Sequence, residues 1–168
     1  MILPETINYN LNNVEKQLIF RSVNESDFDQ IYDLYQQDHI LPYMSFEKMD
    51  KEDFKKIYDN LSDISNFYII EADGKIIAIR RIEISPLKPH IALFASMGVD
   101  KDYLGKGIGQ LIYQKTRQLV EENHQNVVKL ELTQQTDNGP NSSLAKKMGF
   151  KEEIITSDFS ERQTGNFS

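Results

Sequence analysis

The chain reads as a mixed α/β fold, an α+β arrangement with one central mixed sheet and helices on both faces. Three observations lead there. The segment NFYIIEADGKIIAIRRIEI carries two β-rich runs around Asp73-Gly74, a pair that tolerates positive φ at both positions and so suits a type I′ hairpin. Apolar residues recur at helical spacing, most clearly Phe28, Ile31, Tyr32, Leu34 and Tyr35. A glycine-rich turn, DKDYLGKGIGQ over 100–110, joins an apolar run to a helical one. Strands linked by both hairpins and helices imply a mixed sheet covered on two sides.

The elements follow in order. Residues 1–16 are polar and Asn-rich without a clear period, and read as an extension or irregular first element ahead of a single domain over 17–168. QLIFRSV (17–23) alternates Leu18 and Phe20 and predicts a strand. NESD then offers Asn24 as N-cap with Asp27 three residues on, a capping-box pattern that starts a helix. A second helix is expected over 46–61, with Phe46, Met49, Phe54, Ile57, Tyr58 and Leu61 near one face. After the Asp-Gly hairpin, SPLKPH (85–90) breaks the chain with two prolines, and IALFASMGV is the next strand. The helix after the glycine turn is expected from about Gly107 to Asn123, burying Ile108, Leu111, Ile112, Leu119 and Val120. VVKLEL (127–132) predicts another strand, TQQTDNGPNSS a loop, and a short helix follows with Leu144 and Met148. Gly149 stands where a C′ glycine would end that helix, and KEEIITSDF predicts a last strand.

At 168 residues the chain is about the size of one domain, without an internal repeat or a linker. It has no cysteine, which excludes disulfides, thiolate metal sites and a cysteine nucleophile. The net charge of −7 argues against a nucleic-acid partner, which needs clustered Lys and Arg, and serves solubility first. No apolar run approaches the roughly 18 residues of a membrane span, and the N-terminus lacks the basic start and apolar centre of a secretory signal. A cytoplasmic location and no membrane partner are the expectation. His39, His90 and His124 share no ligand spacing, so no metal site is expected.

The glycine turn fails the two best-known phosphate motifs. A P-loop needs Ser or Thr after Gly-Lys, but Gly107 follows Lys106. A dinucleotide fingerprint starting at Gly105 needs Gly at the place of Gln110. The physical device remains. Glycines let backbone approach an anion, and a helix start offers unpaired N–H groups with partial positive charge, so a pyrophosphate is the natural guest. Tight strand-to-helix packing is the equally simple structural reading.

MGVDKDYLGKGIGQLIYQ resembles the acetyl-CoA-binding core of the GNAT family, the Gcn5-related N-acetyltransferases. That family's pattern is Arg/Gln-x-x-Gly-x-Gly/Ala. Gly107 and Gly109 match its small positions, while Leu104 stands where Arg or Gln is usual. DNGPNSSLAKKMGF resembles the family's downstream segment through Asn138, Leu144 and Gly149-Phe150. The resemblance implies a mainly antiparallel sheet of about six to seven strands. It implies acetyl-CoA held by Met97, Gly98 and Val99 at the strand end, by Leu104, Gly105, Lys106, Gly107, Ile108, Gly109 and Gln110 on the turn, and by Asn138. The pantetheine arm would lie along unpaired backbone, with the amides of Met97 and Val99 as partners. Lys101, Lys106 and Arg117 would reach the phosphates only if they leave solvent.

The activity implied is transfer of acetyl to a primary amine of a small molecule or protein. An amine with ordinary pKa near ~10.4 must lose a proton, so a base is needed. In this family it is often a Glu early in the strand before the glycine turn. Here His90 falls near that place, and an imidazole titrates near neutrality. The alternative is an ordinary turn histidine after Pro89. Glu83 and Glu131 read as solvated sheet residues. The usual acid, a Tyr in the short helix, is replaced by Ala145, leaving Ser142, Ser143 or water to protonate the thiolate. Tyr32, Tyr35, Tyr43 and Met44 are expected near the acceptor. The competing reading is an acyl-CoA-binding module with weak or no catalysis, favoured by Leu104 and Ala145. Monomer and homodimer both fit.

Overall fold

The computed structural model describes residues 2–44, 47–132 and 139–151. Six strands, β1 Glu5–Leu11, β2 Val14–Ser22, β3 Asn66–Ala72, β4 Lys75–Glu83, β5 Ile91–Val99 and β6 Lys129–Leu132, form one sheet in sequence order. Every neighbouring pair is antiparallel except β5 and β6, which are parallel. Four helices accompany them: α1 Phe28–Tyr35, α2 Lys51–Ile64, α3 Ile108–Asn123 and α4 Gly139–Lys147. This is the mixed, mainly antiparallel architecture expected.

Local signals account for most boundaries. Asn24 closes a capping box with Asp27: its side chain accepts the Ser26 N–H, and Asp27 Oδ2 accepts the Asn24 N–H at 2.8 Å. The hairpin between β3 and β4 turns on Asp73 and Gly74 with φ of 50° and 78°, as a type I′ turn requires. The end of α4 is a Schellman motif. The Phe150 N–H bonds to the Ala145 carbonyl and the Gly149 N–H to the Lys146 carbonyl, with Gly149 at φ 93°.

Two sheet faces organise the core. Ile77, Ile82, Phe94, Ile112, Tyr113 and Val120 pack between the sheet and α3. Ile31, Leu34, Tyr35, Phe54, Ile69 and Ile79 pack between the sheet and α1 with α2. Fully burying each such side chain contributes about 1.5–3 kcal/mol. No helix among the described residues is long and apolar enough to cross a membrane.

Some boundaries differ from expectation. Within 1–16, Glu5–Leu11 form edge strand β1, paired with β2 around Asn12 and Asn13 at φ 52° and 63°. An edge strand half-covers one face, so only Ile7, Tyr9 and Leu11 carry its alternation and the pattern is faint. Helix α2 starts at Lys51 because Asp50 caps it, accepting the Asp53 N–H at 2.9 Å; Met49 precedes it and Phe46 lies outside the described residues. Val127 and Val128 belong to the turn before β6. The strand expected over 151–159 falls outside the described residues beyond Lys151.

Candidate functional site

Strand β5 is the site's axis. Among the described residues it pairs with β6 from Ile91 to Phe94, against Lys129–Leu132. On its other side, Arg80 of β4 faces Met97 while Ile82 faces Phe94, so Ala95 and Ser96 share a bulge. The described pairing with β6 thus reaches as far as the kink.

Beyond the kink, hydrogen bonding fixes which way the backbone looks. The Asp100 N–H bonds to the Ile77 carbonyl at 2.8 Å, toward β4. The Val99 carbonyl of the same trans peptide points the other way. His39 Nε2 donates to that carbonyl at 2.7 Å. In an extended strand the N–H and C=O of one residue face one side, so the Val99 and Met97 amides also look away from β4.

The chain then turns through Asp100. Its carboxylate accepts from the Asp102 N–H at 2.9 Å and from Gln37 Nε2 at 2.9 Å, with Lys75 Nζ at 3.3 Å. Burial works to raise the Asp100 pKa, but these donors outweigh it and hold the carboxyl below its usual range. Gly105 and Gly107 follow with φ of 71° and 79°. A Cβ at Gly105 would meet nothing within 4 Å, so that side of the turn is open. Gly107 caps α3 without a side-chain hydrogen bond, and the first helical bond runs from the Leu111 N–H to its carbonyl. The amides of Ile108, Gly109 and Gln110 thus lack intrahelical partners. A Cβ on Gly109 would lie 3.4 Å from Leu144 Cδ2 and 3.8 Å from both Met97 Cε and Val99 Cγ2. The fold so gathers Met97, Val99, the turn and α4 in one place.

One anchor of this turn escaped the sequence reading. Tyr9 of β1 donates its hydroxyl to the Lys106 carbonyl at 2.8 Å, and a Cβ on Gly107 would come within 2.5 Å of that hydroxyl. Lys115 of α3 also pairs with Glu5, so β1 holds both turn and helix.

Other expected residues lie apart. Leu104 is exposed. Arg117 pairs with Glu121 at 2.9 Å and donates to the Met148 carbonyl at 3.3 Å. Ser143 is exposed on α4 and Ala145 is buried beside it, while Asn138 lies outside the described residues. His90 sits exposed in the turn before β5; its carbonyl accepts from the Val128 and Lys129 amides at 2.9 and 3.2 Å. At ~3.3 Å per residue it stands on the order of 13 Å along the strand from Phe94. The structure does not bring it to the kink.

The opposite sheet face carries a polar cluster at the kink. Tyr35 Oη and Ser96 Oγ are 3.0 Å apart. Burial pushes the Tyr35 phenol up to about 12, so it keeps its proton at neutral pH. Arg81, opposite the bulge, donates through Nη1 to Glu83 Oε2 at 3.0 Å and to Ser65 Oγ at 3.3 Å. On the α3 face Arg80 is 1% exposed, its guanidinium 5.1 Å from the Phe94 ring centre and 4.6 Å from that of Tyr113. Its Nε and Nη2 have no hydrogen-bond partner among the described residues, and burial pulls its pKa down to about 10. Tyr35 was expected near the acceptor, but Ser96, Arg80 and Arg81 sit in no sequence motif, and only strand alternation and the hairpin register would have located them.

A sequence profile described as the acetyltransferase (GNAT) family matches residues 28–150. The fold is similar to a GNAT-family acetyltransferase from Streptococcus pneumoniae, at TM-score 0.64 and 21% identity over 81% of this chain and 85% of that one. It is similar to a PaiA N-acetyltransferase from Thermoplasma acidophilum in complex with coenzyme A, at TM-score 0.66 and 16% identity over 83% and 93%. A ribosomal-protein alanine N-acetyltransferase from Escherichia coli gives 0.65 and 19% over 84% and 86%. No curated protein matches the sequence.

Proposed function

The chain belongs to the GNAT family of acetyltransferases, and we propose that it transfers acetyl from acetyl-CoA to a primary amine by direct attack. The observation that carries this reading is the alignment of two backbone tracts whose amides have no partner among the described residues. The amides of Met97 and Val99 beyond the β5–β6 pairing run into the uncapped first turn of α3. The residues fit: the Gly105 side of the turn is open, and the first α3 amides have no side-chain cap. When bound, acetyl-CoA supplies an acyl group activated as a thioester.

The chain's residues have these roles. The turn from Leu104 through Gln110, with Gly105, Lys106, Gly107, Ile108 and Gly109, holds the pyrophosphate on backbone amides. Met97, Gly98 and Val99 hold the pantetheine arm, and the amide of Met97 or Val99 polarises the thioester carbonyl. Asn138 joins them from the downstream block. The amine enters from the α1–α2 face, where Tyr35, Ser96, Arg81 and Glu83 stand. The nitrogen bonds to the acyl carbon, the C–S bond breaks, and one proton passes from nitrogen to a base. Glu83 is better placed for that proton than His90, because it stands on the acceptor face near the kink. The departing thiolate takes a proton from water or Ser143; thiols near pKa ~8.5 leave readily without a strong acid.

The protein acts in this reading without nucleic acid or membrane, in the cytoplasm. The test is thiol release from acetyl-CoA against a panel of primary amines, beside a thermal melt with CoA. Saturating CoA at a hundredfold its Kd should stabilise the fold by about 2.7 kcal/mol. No shift with millimolar CoA would sink the cofactor assignment. CoA binding without turnover of any amine would leave a CoA-binding module.

A further inference from the structure

Among the described residues Arg81 uses only one of its nitrogens. Nη1 donates to Glu83 Oε2 and Ser65 Oγ. Nε is buried without a partner, and Nη2 makes no hydrogen bond among the described residues. Nε and Nη2 form one edge of the planar guanidinium, a fork that matches the two oxygens of a carboxylate. A buried donor without an acceptor is costly, so this edge calls for one. The Arg81 side chain is 14% exposed and that of Glu83 26%, so both keep some accessible surface, while Nε itself is buried.

Their placement names the ligand's shape. Phe67 faces Arg81 across β3 and β4, so Arg81 looks toward α2. It stands opposite the bulge that holds Ser96, next to where the thioester carbonyl would be polarised. The guanidinium and the Glu83 carboxylate touch at 3.0 Å. A ligand complementary to both must carry its own negative and positive groups equally close together. A polyamine would set a second cation against Arg81, and a lone amine would leave the fork bare.

Resting on the reading of this face as the acceptor side, we propose that the acceptor is an α-amino acid. Its carboxylate pairs side-on with Arg81 Nε and Nη2, and its amino group lies at Glu83, turned toward the split in β5. Arg81 is then the specificity-determining residue.

The experiment uses the full chain and acetyl-CoA, following thiol release with the proteinogenic amino acids and with their decarboxylated amines, such as phenylalanine against 2-phenylethylamine. At least one amino acid should exceed its matched amine by about 10²-fold or more in kcat/KM, because a bare fork rejects the analogue. Arg81→Met should bring that ratio to within about threefold of unity with the KM for acetyl-CoA unchanged. Arg81→Lys, which keeps charge but not the fork, should fall between and serves if the Met variant does not fold. Amines used as well as amino acids, or a preference that survives both variants, overturns the proposal and leaves amine acetylation standing. No turnover of any amine, with CoA still bound, overturns the acceptor reading and this proposal with it.

Discussion

The hydroxyl of Tyr9 donates to the Lys106 carbonyl at 2.8 Å, tying edge strand β1 to the glycine turn. The bond orients the peptide between Lys106 and Gly107, whose amide faces the proposed pyrophosphate position. Tyr9→Phe removes it without changing the ring's packing. Losing about 1 kcal/mol of ordering should raise the KM for acetyl-CoA roughly fivefold, with kcat little changed. A variant with wild-type CoA affinity by titration would show that the turn holds its shape alone.

Gly107 is constrained twice. Its φ of 79° is a left-handed conformation, and a Cβ there would lie 2.5 Å from Tyr9 Oη. Gly107→Val should therefore abolish CoA binding while the sheet still folds, since strain of about 1–2 kcal/mol adds to the clash. Gly107→Ala separates the causes. If the clash dominates, Tyr9→Phe in the same chain should restore much of the affinity, a coupling beyond about 0.5 kcal/mol. Strict additivity would assign the loss to backbone strain.

How far the sequence carried the fold depended on the range of each signal. The Asn24–Asp27 cap, the Asp73-Gly74 turn and the Gly149 terminator are short-range chemistry and appear where expected. Strand β1 has its apolar residues on one face of an edge, so its alternation is weak. The turn at 105–107 was legible because its positive φ at Gly105 and Gly107 favours glycine. Tyr9, Ser96, Arg80 and Arg81 were not, because what matters is register across the sheet. Arg80 faces the α3 core and Arg81 the α2 side, a difference of one residue that only strand pairing fixes.

Arg80 is a buried cation with no carboxylate partner among the described residues. Burial depresses its pKa to about 10. A base with a depressed folded-state pKa weakens the fold at every pH below that value, so the penalty is fully present at neutrality. Stacking on Phe94 and Tyr113 offsets part of it. Arg80→Met keeps the length without the charge and should raise stability by about 1–4 kcal/mol in denaturant titrations at pH 7. A lower midpoint would mean that the two rings more than compensate the cation's lost hydration.

Arg21 is held by two acids: Nη1 and Nη2 bond to Asp27 at 2.7 and 2.9 Å, and Nη2 bonds to Glu71 at 2.8 Å. Burial favours a raised Asp27 pKa, but the Arg21 and Asn24 hydrogen bonds outweigh it and the net direction is down. The stabilisation from a depressed carboxyl is present above its unfolded pKa, about 3.9, and is lost as pH falls through the lowered folded value. Arg21→Met strips the cation from two largely buried acids and should cost about 3–5 kcal/mol at pH 7. It should also reverse the sign. Without Arg21, burial raises the Asp27 pKa, so moving from pH 7 to 4 should narrow the gap to wild type. A gap that stays constant over that range would remove Asp27 as the linked group.

The proton of the acceptor amine separates two side chains. Glu83 lies on β4 beside Arg81, at the face where the amine is proposed to enter. His90 precedes β5, and its backbone carbonyl anchors the Val128 and Lys129 amides at the head of β6. The sequence suggested His90 by its place before the strand, but pairing along β5 sets it away from the kink. If Glu83 takes the proton, Glu83→Gln should lose on the order of 10²-fold or more in kcat at saturating acceptor, with CoA affinity intact. His90→Ala should keep kcat/KM within about threefold, because the carbonyl that holds β6 survives the substitution. The pH profile decides if both variants are slow. The variant that lacks the base should lose the acidic limb of kcat/KM, while the other keeps it. A flat acidic limb in His90→Ala alone would return the role to His90 and leave Glu83 as a partner of Arg81 only.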